Sequence, residues 1–436
     1  MNTTPKRRIY TPADVRQLIG EKRSRQTRIV HHPRYPQNPV KNQRFEEHID
    51  ALSFYVFKLK GVTLRSLDLI PSVPPVKIDN YKSFFVLSYN VLCQTTFEKH
   101  KHLYGHLLHL KYGWQDRWNI LSNELANLQS DIYCLQGVQK QRAVACYKVL
   151  FDKKGMNVFF TGRGQTKGDG CAIYWNPKKF EAIEKISINL DYKVENLDRS
   201  NVAQLICFKH IPTEKELIVV NSHLLYDPDR GDIKVYQLAV IIAHIQKART
   251  KNQSIIFCGD LNIYPNSPIY KLIMEGKLNC RETYCVPKSM SGQQHMFNQY
   301  AMQNFKIPKE TKITNNCIIL EDYCNARASA TLTHSICFES VYSHYTHSKE
   351  KEVTAFGFLY NFNSDYIFYS VEKKEIVQEN VTKVVEGGLF LHRRLSLPDA
   401  KTMEQFSGPL PYFASGYVQR DNIADTKKWI NKSANK

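Results

Sequence analysis

The sequence predicts an α/β protein, and three observations carry that reading. Short apolar runs rich in β-branched and aromatic residues recur from Tyr81 onward. Segments with helical period lie between them. The chain has 436 residues, of which 42% are hydrophobic and 12% aromatic. That is enough to bury a sizeable core, and it excludes wholesale disorder.

Taken in order, residues 1–48 are basic and Pro-punctuated (HHPRYPQNPVKNQR) with no sustained period. They read as part of a flexible N-terminal arm over 1–80, which Pro71, Pro74 and Pro75 bring to an end. The folded domain is expected over 81–420. Its strands are predicted at 84–89, 131–135, 157–161, 171–175, 202–208, 217–221, 254–258, 366–369 and 388–392. A helix is predicted at 114–128, where Trp118, Leu121, Leu125 and Leu128 share a face. Another is predicted at 233–247, where Ile233, Leu238, Ile241, Ile242 and Ile245 do the same. A polar insertion over 285–333 is too long for an ordinary connection. Residues 421–436 read as a polar tail.

The charge balance narrows the class of partner. Lys and Arg number 60 against 41 Asp and Glu, a formal net charge of +19. Residues 1–44 hold 11 Lys/Arg against Asp14 and Glu21, a net +9. Such a chain favours polyanions: RNA, DNA or an acidic membrane surface. No run is long and apolar enough to span a membrane, and the arm shows no apolar helical face to lie on one. The N-terminus has no apolar core of a secretory signal. The 11 cysteines form no CxxC pair, and several sit inside apolar runs, so they read as buried thiols of a reducing compartment. A cytoplasmic place, with the nucleus also open, is the expectation.

In α/β folds the chemistry lies beyond strand ends. Strand 84–89 ends in Asn90, 217–221 in Asn221-Ser222-His223, and 254–258 in Gly259-Asp260-Leu261-Asn262. Asp365 precedes 366–369. Each of these alone reads equally as a turn residue, a cap or a core histidine. Together they offer two carboxylates, two amides and an imidazole to one pocket. Carboxylates and amides suit a hard cation such as Mg²⁺, and the set suits metal-assisted phosphoester hydrolysis. Arg163, Lys167, Arg230 and Lys234 lie near these motifs and can grip a phosphate chain, although each alone is an ordinary surface charge.

The ordered motifs SYN, LQxVQ, DGCAI, NSHLLY, GDxN and DYIFYS resemble those of the endonuclease/exonuclease/phosphatase superfamily. Within it they resemble the Ccr4/nocturnin branch and its angel proteins, over about 83–410. The resemblance implies a four-layer α/β sandwich, two packed mixed sheets flanked by helices. It implies Mg²⁺-dependent action on RNA, either 3′–5′ exonuclease and deadenylase or opening of 2′,3′-cyclic phosphates. It places Asn90 beside the metal, His223 and Asn262 at the phosphate, and Asp260 at the attacking water and metal. Asp365 would orient a second histidine near the C-terminus.

Two motif positions depart from the pattern. Where the family has the metal-ligand Glu of LQEVQ, this chain has Gly137. Strand alternation points the flanking Gln136 and Val138 away. Where angel-like chains have Ser-Asp-His, this one reads Ser415-Gly416-Tyr417. Two expectations follow. One is a catalytically weak or inactive member that binds single-stranded RNA or an mRNA-metabolism protein, with weak or absent Mg²⁺. The other is a diverged but active Mg²⁺-dependent RNA exonuclease or phosphatase of mRNA turnover, in which Asp260 still holds the metal.

Overall fold

The structure is a computed structural model. It describes residues 84–100, 113–279, 331–356 and 361–397, apart from 165–166, 192–199, 228–230, 251–252, 266, 346–348, 379–380, 386–388, 390, 392 and 396. It also describes the short strands Lys58–Leu59, Val62–Thr63 and Leu67–Leu69. The chain divides into the compact units Met1–Leu52 and Ser53–Lys436, and every described residue belongs to the second.

Two sheets form the centre. The first runs in the order Val86–Asn90, Ile132–Gln139, Asp169–Trp175, Asn157–Gly162. Its first pair is parallel and the others antiparallel. The second runs Phe338–Ser340, Asp365–Ser370, Ser254–Asp260, Lys215–His223, Val202–His210, Phe180–Asn189. Here only Lys215–His223 and Ser254–Asp260 pair in parallel. Both sheets are therefore mixed.

Side-chain alternation sorts the core into three apolar layers. Ile132, Cys134, Ile173, Ile206, Val219, Ile256 and Cys258 come from both sheets and pack between them. Their neighbours Tyr133, Leu135 and Tyr174 turn outward, onto Leu121 and Leu125 of helix Trp114–Asn127 and Phe151 of helix Val149–Lys153. On the other side, Ile218, Val220 and Phe257 meet helix Gly231–Ala248 and helix Pro268–Glu275. The result is the expected helix–sheet–sheet–helix sandwich.

Several elements differ from the sequence reading. Phe180–Asn189 is a strand whose outer positions are charged (Glu181, Glu184, Lys185), which hides its alternation. Residues 140–153 are helical, with a π-helical turn at Ala143–Lys148. No strand forms at 388–392 among its described residues; the nearby strand is Arg393–Leu395. It pairs with Leu67–Leu69, so part of the segment read as an arm is joined to the domain. The last three residues of the polar insertion read over 285–333 form strand Thr331–Thr333, which pairs with Lys277–Asn279; residues 280–330 lie outside the described ones. The seven cysteines among the described residues are free thiols. No helix among the described residues is long and apolar enough to cross a membrane.

Candidate functional site

Alternation and register together build the site. On Ser254–Asp260, Ile256 and Cys258 face the inter-sheet core, so Asp260 is the next inward position. On Lys215–His223, Leu217 and Val219 face inward, so Asn221 and His223 follow them. The same count puts Asn90, Gln136, Asp169 and Asp365 inward. Register aligns these ends, since His223 is the cross-strand partner of Asp260, Asp260 of Asp365, and Asn90 of Gln136. The apolar layer thus ends at a rim of polar side chains.

Asp260 lies at the middle of this rim, with 2% of its surface exposed. Its Oδ2 accepts a 2.7 Å hydrogen bond from Asn90 Nδ2, which comes from the opposite sheet. Its Oδ1 accepts from the Asn262 backbone N–H at 3.0 Å. His223 Nε2 is 3.7 Å from Oδ2, too far for a hydrogen bond. Burial lowers the imidazole below its usual range; Asp260 opposes this, and the positive charge of Arg163 adds to it. His223 is therefore neutral at neutral pH.

Asn262 has the left-handed backbone that Asn tolerates, at φ 51°. Its side chain is buried and donates to the Leu224 carbonyl at 3.1 Å, so it ties two strand-end loops together. The Asn262 carbonyl in turn accepts from Lys234 Nζ at 2.8 Å. Lys234 is fully buried, which corrects its reading as a surface phosphate contact. Arg163 is committed to Asp169, through Nη2 at 2.7 Å and Nε at 3.1 Å. Lys167 is half-buried. Arg230, Gly416 and Tyr417 lie outside the described residues.

Asp365 has one oxygen bonded to Ser364 Oγ at 2.8 Å; the other, Oδ1, is buried with no hydrogen-bond partner. Burial, reinforced by the charge of Asp260, raises its carboxyl well above the usual range. The four residues Asn90, His223, Asp260 and Asn262 come together, with Asp365 beside them. Sequence reasoning missed Asp169, although counting inward from Trp175, Ile173 and Cys171 reaches it. It also missed Arg117, which has no local signal. Arg117 donates to the Val91 and Leu92 carbonyls and to Gln94 Oε1, and so fixes the loop after Asn90.

Gly137 sits in a register shift between Leu135 and Val138, with φ 67°. Val138 packs outward like Leu135, three positions before it, because the register shift resets the alternation. The same shift corrects the reading that Gln136 points away from the site. Gln136 turns inward, to Asn221 Oδ1 at 2.8 Å, and so braces the two sheets without joining Asp260. Mg²⁺ asks for several oxygen ligands in octahedral array. Gly137 offers none. Asn90 Oδ1 faces the Leu92 N–H at 3.0 Å, and both Asp260 oxygens face N–H donors. Among the described residues no three His, Cys, Asp or Glu side chains gather to hold a metal. The residues present do not fit the implied cation.

The family model described as Endonuclease/Exonuclease/phosphatase family matches residues 87–379. Protein angel homolog 2 of Homo sapiens is 33% identical over 353 residues, covering 73% of this chain and 64% of that protein. The chain thus spans less than two thirds of that relative's length. The Saccharomyces cerevisiae CCR4-Not complex 3′-5′-exoribonuclease subunit Ccr4 is 27% identical over 271 residues, covering 54% of this chain and 31% of that one. A crystal structure of ANGEL2, described as a 2′,3′-cyclic phosphatase, superposes with TM-score 0.68 at 31% identity. It covers 83% of this chain and 97% of that one. A second ANGEL2 structure, in complex with adenosine-2′,3′-vanadate, gives TM-score 0.67 at 30% identity over 82% and 97%. On its motifs, its sandwich and these matches, the chain belongs to the endonuclease/exonuclease/phosphatase family, where its likeness is to the angel proteins of the Ccr4/nocturnin branch.

Proposed function

We propose that this protein binds ends of single-stranded RNA in an angel-type pocket and turns them over weakly or not at all. Gly137 carries the reading. The inward rim position that would supply an acidic ligand has no side chain, and Asp260 is held by N–H donors on both oxygens. A metal acting as a Lewis acid supplies several kcal/mol of barrier lowering, and about 1.4 kcal/mol is a factor of ten in rate. Without it, a neutral imidazole beside a carboxylate is left to do the work. RNA as ligand is supported by the net charge of +19 and by the adenosine-2′,3′-vanadate held by an ANGEL2 structure. A reducing place, cytoplasmic or nuclear, is supported by free buried thiols. An mRNA-metabolism protein is a further partner on this reading.

The alternative is an active RNA exonuclease or 2′,3′-cyclic phosphatase, with Mg²⁺ as its cofactor. One observation favours it: His223 stands 3.7 Å from Asp260, close enough for one water to bridge the imidazole and the carboxylate. The deciding assay incubates the chain with oligo(A) ending in a hydroxyl or a 2′,3′-cyclic phosphate, with and without Mg²⁺. The expected result is binding without mononucleotide release or cyclic-phosphate loss. Robust turnover that Asp260→Asn abolishes would establish the alternative.

A further inference from the structure

The space in front of Gly137 is already filled. A Cβ there would lie 2.9 Å from Asn90 Oδ1 and 3.3 Å from the backbone nitrogens of Leu92 and Cys93. The orientation of the Asn90 amide is fixed at both ends. The Leu92 N–H needs an acceptor, so Oδ1 must face it. The Asp260 carboxylate needs a donor, so Nδ2 must face it. An N–H dipole therefore sits against Asp260 Oδ2, where a shared cation would have to stand. The same bond joins the two sheets, since Asn90 belongs to one and Asp260 to the other.

We propose that this pocket engages the phosphate of an RNA end without a divalent cation, the Asn90 amide standing in the cation's place. The ligand is an oxyanion met by nitrogen donors. Arg163 is partly exposed, and its bond to Asp169 uses only Nε and Nη2. Lys167 lies on the same connection between strands Asn157–Gly162 and Asp169–Trp175. His223 exposes about a fifth of its side chain at the rim. The inference rests on the RNA-end reading above, and two measurements separate the failure of one from that of the other.

In the first, Mn²⁺ alone is titrated into the full chain and followed by the electron paramagnetic resonance of the free ion. No saturable site is expected at millimolar Mn²⁺. Asn90→Asp, which sets a second carboxylate against Asp260, is expected to create one. A saturable site in the natural chain that Asp260→Asn removes would overturn the inference alone. In the second, the affinity for RNA ending in a 3′-phosphate or 2′,3′-cyclic phosphate is compared in EDTA and in Mg²⁺. It should agree to within about twofold and exceed that for 3′-hydroxyl RNA. A tenfold or larger dependence on Mg²⁺ would again overturn the inference. Equal affinity for all three ends would remove the RNA-end reading and the inference with it.

Discussion

Gly137→Glu is the substitution that most directly tests how the site is built. It returns the missing carboxylate, but the backbone resists it. At φ 67° a residue with a Cβ costs roughly 1–2 kcal/mol. Its Cβ would also press on Asn90 Oδ1 at 2.9 Å. Moving that amide breaks its bonds to Leu92 N and Asp260 Oδ2. A hydrogen bond to a charged group is worth about 1.5–3 kcal/mol. The total is about 3–5 kcal/mol, a fall in melting temperature of roughly 4–8 °C for a domain of this size. Circular-dichroism melts of the natural chain, Gly137→Ala and Gly137→Glu read this directly. Gly137→Ala should already lose most of the stability, because strain and contact begin at Cβ. A Gly137→Ala chain as stable as the natural one, or more stable, would refute the reasoning, since Gly→Ala at an unstrained site gains about 0.4–1 kcal/mol. Gly137→Glu alone should also leave turnover unrestored. The smallest repair of the motif adds Gly416→Asp and Tyr417→His, and it carries the same penalty at 137.

Millimolar Mg²⁺ should barely move the melting temperature of the natural chain, because stabilisation by a ligand follows RT ln(1 + [L]/Kd) and vanishes for weak binding; a rise of several degrees, lost in Asp260→Asn, would contradict this. Deleting residues 1–44, which carry a net +9, should weaken binding to all single-stranded RNAs alike and flatten the salt dependence, as measured by fluorescence anisotropy across a salt series. His344 should make the fold acid-sensitive: burial, helped by Arg394, lowers its imidazole to about 4, below the unfolded value of 6.5. The unfolded chain therefore binds the extra proton first, and stability present above pH 6.5 is lost as pH falls toward 4, by at most about 3 kcal/mol, less for its partial exposure. His344→Asn, which suits the φ of 67° there, should flatten urea-measured stability over that window relative to the natural chain; an unchanged slope would count against it.

Much of the fold and site was legible, for a definable reason. Strand runs such as 131–135 and 254–258 are buried on both faces, so they read as continuous apolar segments. Counting by two along them reaches Asp260, His223 and Asn90 without any structure. Phe180–Asn189 was not legible, because it pairs with only one neighbour and shows Glu181, Glu184 and Lys185 to solvent. The fates of Arg163 and Lys234 were also hidden. Whether a basic side chain meets RNA, a buried Asp169 or a buried carbonyl depends on partners brought in by the fold, and those carry no local spacing signal.

The same alternation explains why a lost ligand need not cost the fold. Where the apolar inner layer ends, the two sheets are joined by polar bonds instead. Gln136 meets Asn221, Asn90 meets Asp260, and Gln204 reaches the Phe159 carbonyl and Thr161 Oγ1 of the other sheet. These bonds join the sheets through protein partners alone, although Gln136 Oε1 stays buried without a hydrogen-bond partner. Asp365 Oδ1 is buried without a partner too, and its raised carboxyl is what a carboxyl without a charged partner should show. An acidic residue at position 137 would have added negative charge to Asp260 and Asp365 and made a cation necessary. Glycine leaves that charge out and keeps the cross-sheet bonds of Gln136 with Asn221 and of Asn90 with Asp260 in place.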